Sequence, residues 1–205
     1  MHREIKNQGQ GILFENSFLE PLTKAPPIVS AITYSTLGIV LLYIGIQRAV
    51  VDQFWVGASI FIFALFFWTF FEYFAHRYLF HIDEYFPDST FAQKLAYTLH
   101  GVHHEYPRDT ERLIMPPVPG LMILGLLYMV YLLIMGEFVY LFLPGFILGY
   151  LLYTRIHYKT HTTPVPSYLK SNYKHHALHH YKYPEKAFGI STTLWDRVFR
   201  TMPPE

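Results

Sequence analysis

Eleven of the twelve histidines in this 205-residue chain fall in two windows, His76–His104 and His157–His180, which long apolar runs precede and separate. Any fold must therefore carry both windows on hydrophobic elements and decide whether they meet. The first window holds His76, His81, His100, His103 and His104; the second holds His157, His161, His175, His176, His179 and His180. On a helix, side chains three or four apart share a face, and imidazole nitrogen suits iron and zinc. His100-x2-His103-His104, His157-x3-His161 and His176-x2-His179-His180 have that spacing. His76-x4-His81 does not, because five residues leave the face of a straight helix; it fits a helix end where the chain bends. Ten ligands exceed what one metal holds and match two metals at five each, or fewer with positions open for substrate or oxygen. His175 adjoins a cluster but sits off its spacing, and His2 stands alone, so both are read as ordinary polar residues.

The apolar runs indicate a membrane protein. Residues are 52% hydrophobic and only 15% charged, where a soluble domain carries about a quarter charged residues. A net charge of +1 provides no basic field for nucleic acid, and the absence of cysteine excludes disulfides and thiolate ligands. The polar start, Met1 to Phe14, lacks the apolar core of a secretory signal, so the first apolar run is expected to remain as an anchor. Residues 1–27 read as an interfacial segment, with 1–10 either part of it or a loose tail. Four spans are expected, at about 28–51, 54–74, 118–136 and 138–156. The last two could form one long helix, but its length, Pro144 and the glycines favour a hairpin. Four crossings leave 15 of the 16 Lys and Arg residues on one side, with only Arg48 opposite. That puts both histidine windows on the cytoplasmic face. Residues 77–117 and 157–205 would form the cap, with Phe188, Ile190, Leu194, Trp195, Val198 and Phe199 as its apolar face. The economical reading is a single domain over 1–205.

Other histidine chemistries fail on detail. There is no His-Glu-x-x-His and no Gly-x-Ser-x-Gly elbow, against a zincin protease and a serine hydrolase. A transporter would place ionisable ligands near the bilayer midplane, whereas these cluster at the ends of clean spans.

The residues also carry a family resemblance. His76-Arg77-Tyr78-Leu79-Phe80-His81, His100-Gly101-Val102-His103-His104 with Pro107 and Asp109, and Arg112-Leu113-Ile114-Met115-Pro116-Pro117 are similar to the fatty acid 2-hydroxylase family of the sterol desaturase and fatty acid hydroxylase superfamily. Gly149-Tyr150, Tyr153, His157-Tyr158-x2-His161, Leu169-Lys170, His176-x2-His179-His180-Tyr181, Phe188-Gly189-Ile190-Ser191, Leu194-Trp195-Asp196 and Val198-Phe199 continue it, as does Phe18-Leu19-Glu20 with Leu22-Thr23-Lys24. The resemblance covers nearly the whole chain, in the form without a cytochrome b5 domain.

It implies an all-α membrane protein whose four transmembrane helices carry a cytoplasmic, histidine-rich helical cap around a di-metal centre. It implies oxygen-dependent 2-hydroxylation of long-chain fatty acids, or of the acyl chains of lipids such as sphingolipids. Two iron ions would be held by His76, His81, His100, His103, His104, His157, His161, His176, His179 and His180, with zinc able to replace iron in purified protein. Electrons would come from an external donor such as cytochrome b5 or ferredoxin, at the bacterial inner membrane or the endoplasmic reticulum. Related enzymes act on a sterol, carotenoid or sphingoid base, and a non-catalytic membrane metal-binding protein is the alternative from another class. Around the ligands, Glu72 either orients His76 one turn on or is an interfacial carboxylate. Asp109 with Arg112 either supports the ligands from behind or forms a surface ion pair, and reads first as the latter. Tyr158, Tyr181, Trp195 and Asp196 could line the site. Thr154 stands where the family usually has Asp, Thr162 where a further histidine often follows, and Arg200 where glycine is usual.

Overall fold

The computed structural model describes residues 4–162 and 164–204. His2 and Arg3 lie outside them. The described residues are mainly helical, with no strand among them. Its helices are α1 (Pro27–Gln47), α2 (Phe54–Phe74), α3 (Ile82–Tyr85), α4 (Thr90–Ala96), α5 (Val102–Glu105), α6 (Pro117–Met135), α7 (Val139–Thr162), α8 (Lys170–Tyr181) and α9 (Leu194–Val198). π-Helical turns at Ala75–Phe80 and Tyr97–Gly101 extend α2 and α4.

Local chemistry sets these bounds. Pro27 and Pro117 occupy first turns, where the missing N–H costs nothing and φ is already helical. Ser89 caps α4 by accepting the Ala92 N–H. Gly136 ends α6 at φ +58°, a conformation a side chain would oppose. Three stretches are long and apolar enough to cross a membrane: Pro27–Gln47, Phe54–Phe80 and Thr110–Thr162. The third is broken at Gly136, so α6 and α7 form the expected hairpin. Pro144, expected to oppose a continuous helix, is instead accommodated inside α7. The bounds also shift: α1 stops at Gln47 rather than Val51, and α7 runs on to Thr162, carrying both His157 and His161.

Contacts fix the directions. Gly45 meets Tyr140, Gly38 meets Ile147 and Tyr34 meets Tyr150, so α7 is antiparallel to α1. Phe61 meets Gly145 and Trp68 meets Gly149, so α7 is parallel to α2. A Cβ on Gly145 would lie 2.2 Å from the Phe61 carbonyl, and one on Gly149 2.4 Å from Trp68 Cβ; the two backbones approach only because side chains are absent. Trp68, Phe142, Leu143, Phe146 and Ile147 fill the core around that seam. Tyr34 Oη lies 3.0 Å from the Met115 and Pro116 carbonyls, and Arg48 pairs with Glu137 at 2.7 Å at the opposite end, so α6 is parallel to α1. The ends of α2 and α7 and the starts of α1 and α6 therefore share one end of the bundle, and the histidine windows lie there. On α6, Met122, Leu126, Leu133 and Ile134 face outward, at 67–87% exposure, a surface suited to lipid and not to water.

The N-terminal coil lies across the histidine-bearing end. Lys6 N–H donates to the Glu105 carbonyl at 2.7 Å, its ammonium pairs with Glu105, and Arg112 binds the Gly11 carbonyl, Thr23 and Glu20. Of the expected apolar cap face, Phe188 and Ile190 are buried, while Leu194, Val198 and Phe199 stay exposed beside the end of α2. Trp195 packs on Phe70 and donates to Thr69.

Candidate metal centre

Two groups of five imidazoles gather at the capped end. His76, His81, His100, His104 and His179 form one, site A; His103, His157, His161, His176 and His180 form the other, site B. Within each, one nitrogen per ring lies within 4.8 Å of all the others. Nine of the ten are at most 9% exposed, His161 being half-buried. The groups abut where His104 and His180 stack, centroids 4.2 Å apart.

The helical phase explains the sorting. In each His-x2-His-His motif the first and last residues lie about 40° apart round the helix, while the middle one lies about 60° to the other side of the first and about 100° from the last. Hence His100 and His104 enter site A and send His103 to site B, while His176 and His180 enter site B and send His179 to site A. His76 and His81 meet because the turn between them is π-helical, which puts residues five apart over one another. The spacing had suggested a bend at a helix end; the structure has a widened turn.

The nitrogens are not satisfied by one another. His76 Nδ1 donates to the Phe188 carbonyl at 2.6 Å and His179 Nδ1 to the Lys186 carbonyl at 2.7 Å, so in the neutral tautomer both Nε2 atoms carry only a lone pair. Nε2 atoms run in contact from His76 to His100 at 3.0 Å, to His104 at 3.0 Å and to His179 at 3.1 Å. Alternating donors and acceptors along three contacts would require the two ends to be of opposite kind, yet both accept. Making His179 an imidazolium would mend the pattern, but burial first and then neighbouring imidazoles push His179, like His100, His103, His176 and His180, well below the ordinary histidine pKa. Converging lone pairs call for a cation. At about 2.1 Å from a metal, two nitrogens at right angles lie about 3.0 Å apart, the spacing found here and, in site B, between His103 and His157 at 3.0 Å and His161 and His176 at 2.8 Å. His180 has no partner for either nitrogen among the described residues. The residues fit a metal in each group.

Surrounding groups differ from expectation. Glu72 is buried, and its oxygens accept from the Ile190 and Ser191 N–H groups at 2.6 and 2.8 Å, while His76 Nδ1 goes to the Phe188 carbonyl of the same segment. Asp109 and Arg112, read as a surface pair, are buried at 1% and 2% side-chain exposure. Asp109 accepts from Gly11 N–H, because the N-terminal coil covers it. Asp196 is buried against His175 Nε2 at 3.0 Å, so His175 is no bystander. Tyr158 is half-buried on α7, and Tyr153 stacks on His157, centroids 5.6 Å apart. Thr154 donates to its own helix at Leu151 and Arg200 adopts φ +58°, the conformation for which glycine is suited. Spacing could not reveal Leu113, whose carbonyl takes His157 Nδ1 at 3.0 Å, nor Glu84, 3.4 Å from His81 Nδ1.

Two cavities reach the sites. One of about 440 Å³ opens on His81, His100 and His104, with Phe80, Pro87 and Pro184 in its walls. One of about 50 Å³ opens on His161 and His176 beside Arg108 and Ala177. His180 and Tyr181 border both.

The fatty acid hydroxylase family model matches residues 61–201. The ceramide very long chain fatty acid hydroxylase scs7 of Schizosaccharomyces pombe is 38% identical over 98% of this chain and 58% of its own length. The fatty acid 2-hydroxylase of Mus musculus is 40% identical over 73% of this chain and 41% of its own. The chain thus spans about half the length of these curated relatives. A solved structure of full-length scs7p, with only the hydroxylase domain visible, superposes with a TM-score of 0.86 at 31% identity, over 96% of this chain and 74% of that one.

Proposed function

This chain belongs to the fatty acid hydroxylase family, and we propose that it is a non-haem, di-metal, oxygen-dependent 2-hydroxylase of long acyl chains, those of sphingolipids first. The observation that carries the reading is the pair of five-imidazole groups, side by side at the end of an apolar bundle. All ten histidines act as ligands, and iron is the working metal, because zinc has no redox chemistry to offer. Bound there, two irons with dioxygen and two external electrons supply the oxidising power to replace an unactivated C–H by C–OH, the second oxygen atom leaving as water with two protons. Ferredoxin or cytochrome b5 serves as donor.

The chain's own residues hold and shield. Neutral imidazoles bring no negative charge, unlike carboxylate-rich di-iron bundles, so that compensation is left to ligands derived from oxygen, water or substrate. Phe188 and Lys186 carbonyls fix the His76 and His179 rings so that Nε2 faces the centre. The larger cavity, within the roughly 300–1,000 Å³ usual for ligands, receives the acyl chain between Phe80, Pro87 and Pro184. α1, α2, α6 and α7 are four crossings of one integral-membrane domain over 1–205, with the cap facing the cytoplasm as the Lys and Arg distribution supports.

The test is lipid profiling of a host with and without expression of the chain, under isotopically labelled dioxygen. One labelled hydroxyl beside the acyl carbonyl is expected. A double bond, a hydroxyl at another carbon, or no product when a reductase system is supplied overturns the proposal.

A further inference from the structure

Two buried carboxylates more than a hundred residues apart close on one short segment, Lys186–Ser191. Asp196 Oδ1 accepts from Phe188 N–H at 2.9 Å and from the Thr201 hydroxyl at 2.7 Å; Oδ2 accepts from Gly189 N–H at 2.8 Å and faces His175 Nε2 at 3.0 Å. Glu72 takes the next two N–H groups, Ile190 and Ser191, and the Ser191 hydroxyl. Four consecutive N–H groups thus end on carboxylates. The carbonyls of the same segment point the other way, Phe188 to His76 and Lys186 to His179.

One peptide group joins the two sides. The Phe188–Gly189 peptide gives its N–H to Asp196 and its carbonyl to His76, so negative charge at one end strengthens the acceptor at the other. The Lys186 carbonyl shares its peptide with Ala187 N–H, which donates to the Thr201 carbonyl at 2.9 Å, while Thr201 N–H returns to the Asp196 carbonyl at 2.8 Å. The segment has nowhere to shift: a Cβ on Gly189 would lie 2.2 Å from the Thr192 carbonyl and 2.8 Å from Asp196 Oδ2, and Ala187 is held at φ +60°. Both histidines served belong to site A. In site B, His157 leans on Leu113 and on neither carboxylate.

We propose that Asp196 is a positioning residue for site A alone, setting the orientation and basicity of His76 through the Phe188–Gly189 peptide and of His179 through Thr201, with Glu72 clamping the segment from α2. The inference rests on the two-metal reading above. Loss of an outer partner of a metal-bound histidine costs about 10- to 100-fold in metal affinity, and here the cost falls on one ion of two.

The test is competitive zinc titration of the purified full-length chain. Asp196→Asn places an amide N–H against Phe188 or Gly189 N–H whichever way it turns, so one ion weakens about 10- to 100-fold and the other holds. Combined with His157→Ala, which removes site B, Asp196→Asn weakens the remaining ion; combined with His76→Ala, which removes site A, it does not. A purely structural role predicts equal weakening of both ions, and that outcome, or no weakening, overturns the proposal. Should Asp196→Asn fail to fold, Glu72→Ala and Glu72→Gln carry the test. Glutamine keeps an oxygen on Ile190 and Ser191 N–H and gives its amide to the Ser191 hydroxyl, so site A weakens with alanine and recovers with glutamine. Equal loss in both, or none, overturns it. A wild-type chain that does not bind two ions sinks the two-metal reading instead.

Discussion

Sites A and B hold five imidazoles each, and the chain builds them by opposite means. Four of site B's ligands ride on two ordinary helices at i, i+4: His157 and His161 on α7, His176 and His180 on α8. Site A relies on irregular backbone. His76 and His81 meet across a π turn, His100 lies in another, and His76 and His179 are steered by a loop over a hundred residues from His76. The openings differ as well, about 440 Å³ onto site A against about 50 Å³ onto site B. Regular helices specify a ligand pair cheaply and rigidly, and irregular turns concentrate at functional sites. On the proposed function, the wider opening makes site A the side that a lipid chain would reach, with site B the more regularly built partner.

The strongest way to break this comparison lies in the exchanged ligands. His103 belongs by sequence to the first window and by structure to site B; His179 is its mirror image. Alanine at either should reduce turnover to background and remove about one ion per chain, but different ions. Metal analysis in the His76→Ala and His157→Ala backgrounds reads this directly: His103→Ala should cost nothing further beside His157→Ala and strip the remaining ion beside His76→Ala. The reverse pattern would show that the windows do not exchange ligands.

Acid should strike both sites when metal is absent. His100, His103, His176, His179 and His180 are pushed well below 6.5, by burial first. Unfolded, they take up protons near pH 6.5; folded, they stay neutral. The unfolded state therefore binds more protons below that value, and stability is full above about pH 6.5 and falls as pH drops through the window beneath it. The slope is on the order of 1.4 kcal/mol per pH unit for each histidine kept neutral. Chemical unfolding of the metal-free chain at pH 7.5 and 5.5 measures it, and a flat profile contradicts the buried-neutral assignment. With metal bound the loss should begin at lower pH, and first at site A, which the wide cavity opens to water.

How much of this could be read from the sequence follows the same division. Eight of the ten clustered imidazoles were legible from their i, i+3 and i, i+4 spacings, but their sorting into two centres came only with the structure. The His76–His81 pair was legible only as an anomaly, since nothing in Ala75–Phe80 announces a π turn. His175 read as off-phase, and its role depends on Asp196, which packing alone places beneath it. Asp109 and Arg112 read as a surface pair because their cover, Gly11 to Thr23, lies about ninety to one hundred residues upstream. Glu72 reads either as orienting His76 or as an interfacial carboxylate; it binds the Ile190 and Ser191 N–H groups instead, a partner more than a hundred residues away that local spacing cannot foresee.

The cavities sharpen the comparison further. Pro184→Trp should crowd the larger one and raise KM for the lipid on the order of tenfold, about 1.4 kcal/mol, with both ions retained. Ala177→Phe should fill the small one and leave lipid KM within about twofold. Steady-state kinetics on a solubilised lipid with metal analysis checks both, and equal effects would erase the functional distinction between the two mouths.

The smallest effect expected comes from Arg200. It sits at φ +58°, next to Thr201, whose hydroxyl and backbone N–H both go to Asp196. A side chain there costs about 1–2 kcal/mol through the clash of Cβ with its own backbone. Glycine removes that cost but frees the unfolded chain by about 0.4–1 kcal/mol, so Arg200→Gly should stabilise by roughly 0.5–1 kcal/mol, a few degrees in Tm. Because the gain is in the turn that carries Thr201 and Asp196, it should tighten zinc at site A slightly and leave site B unchanged. A Tm gain with equal tightening at both sites would mean that the C-terminal turn supports the whole cap, and that site A has no private scaffold.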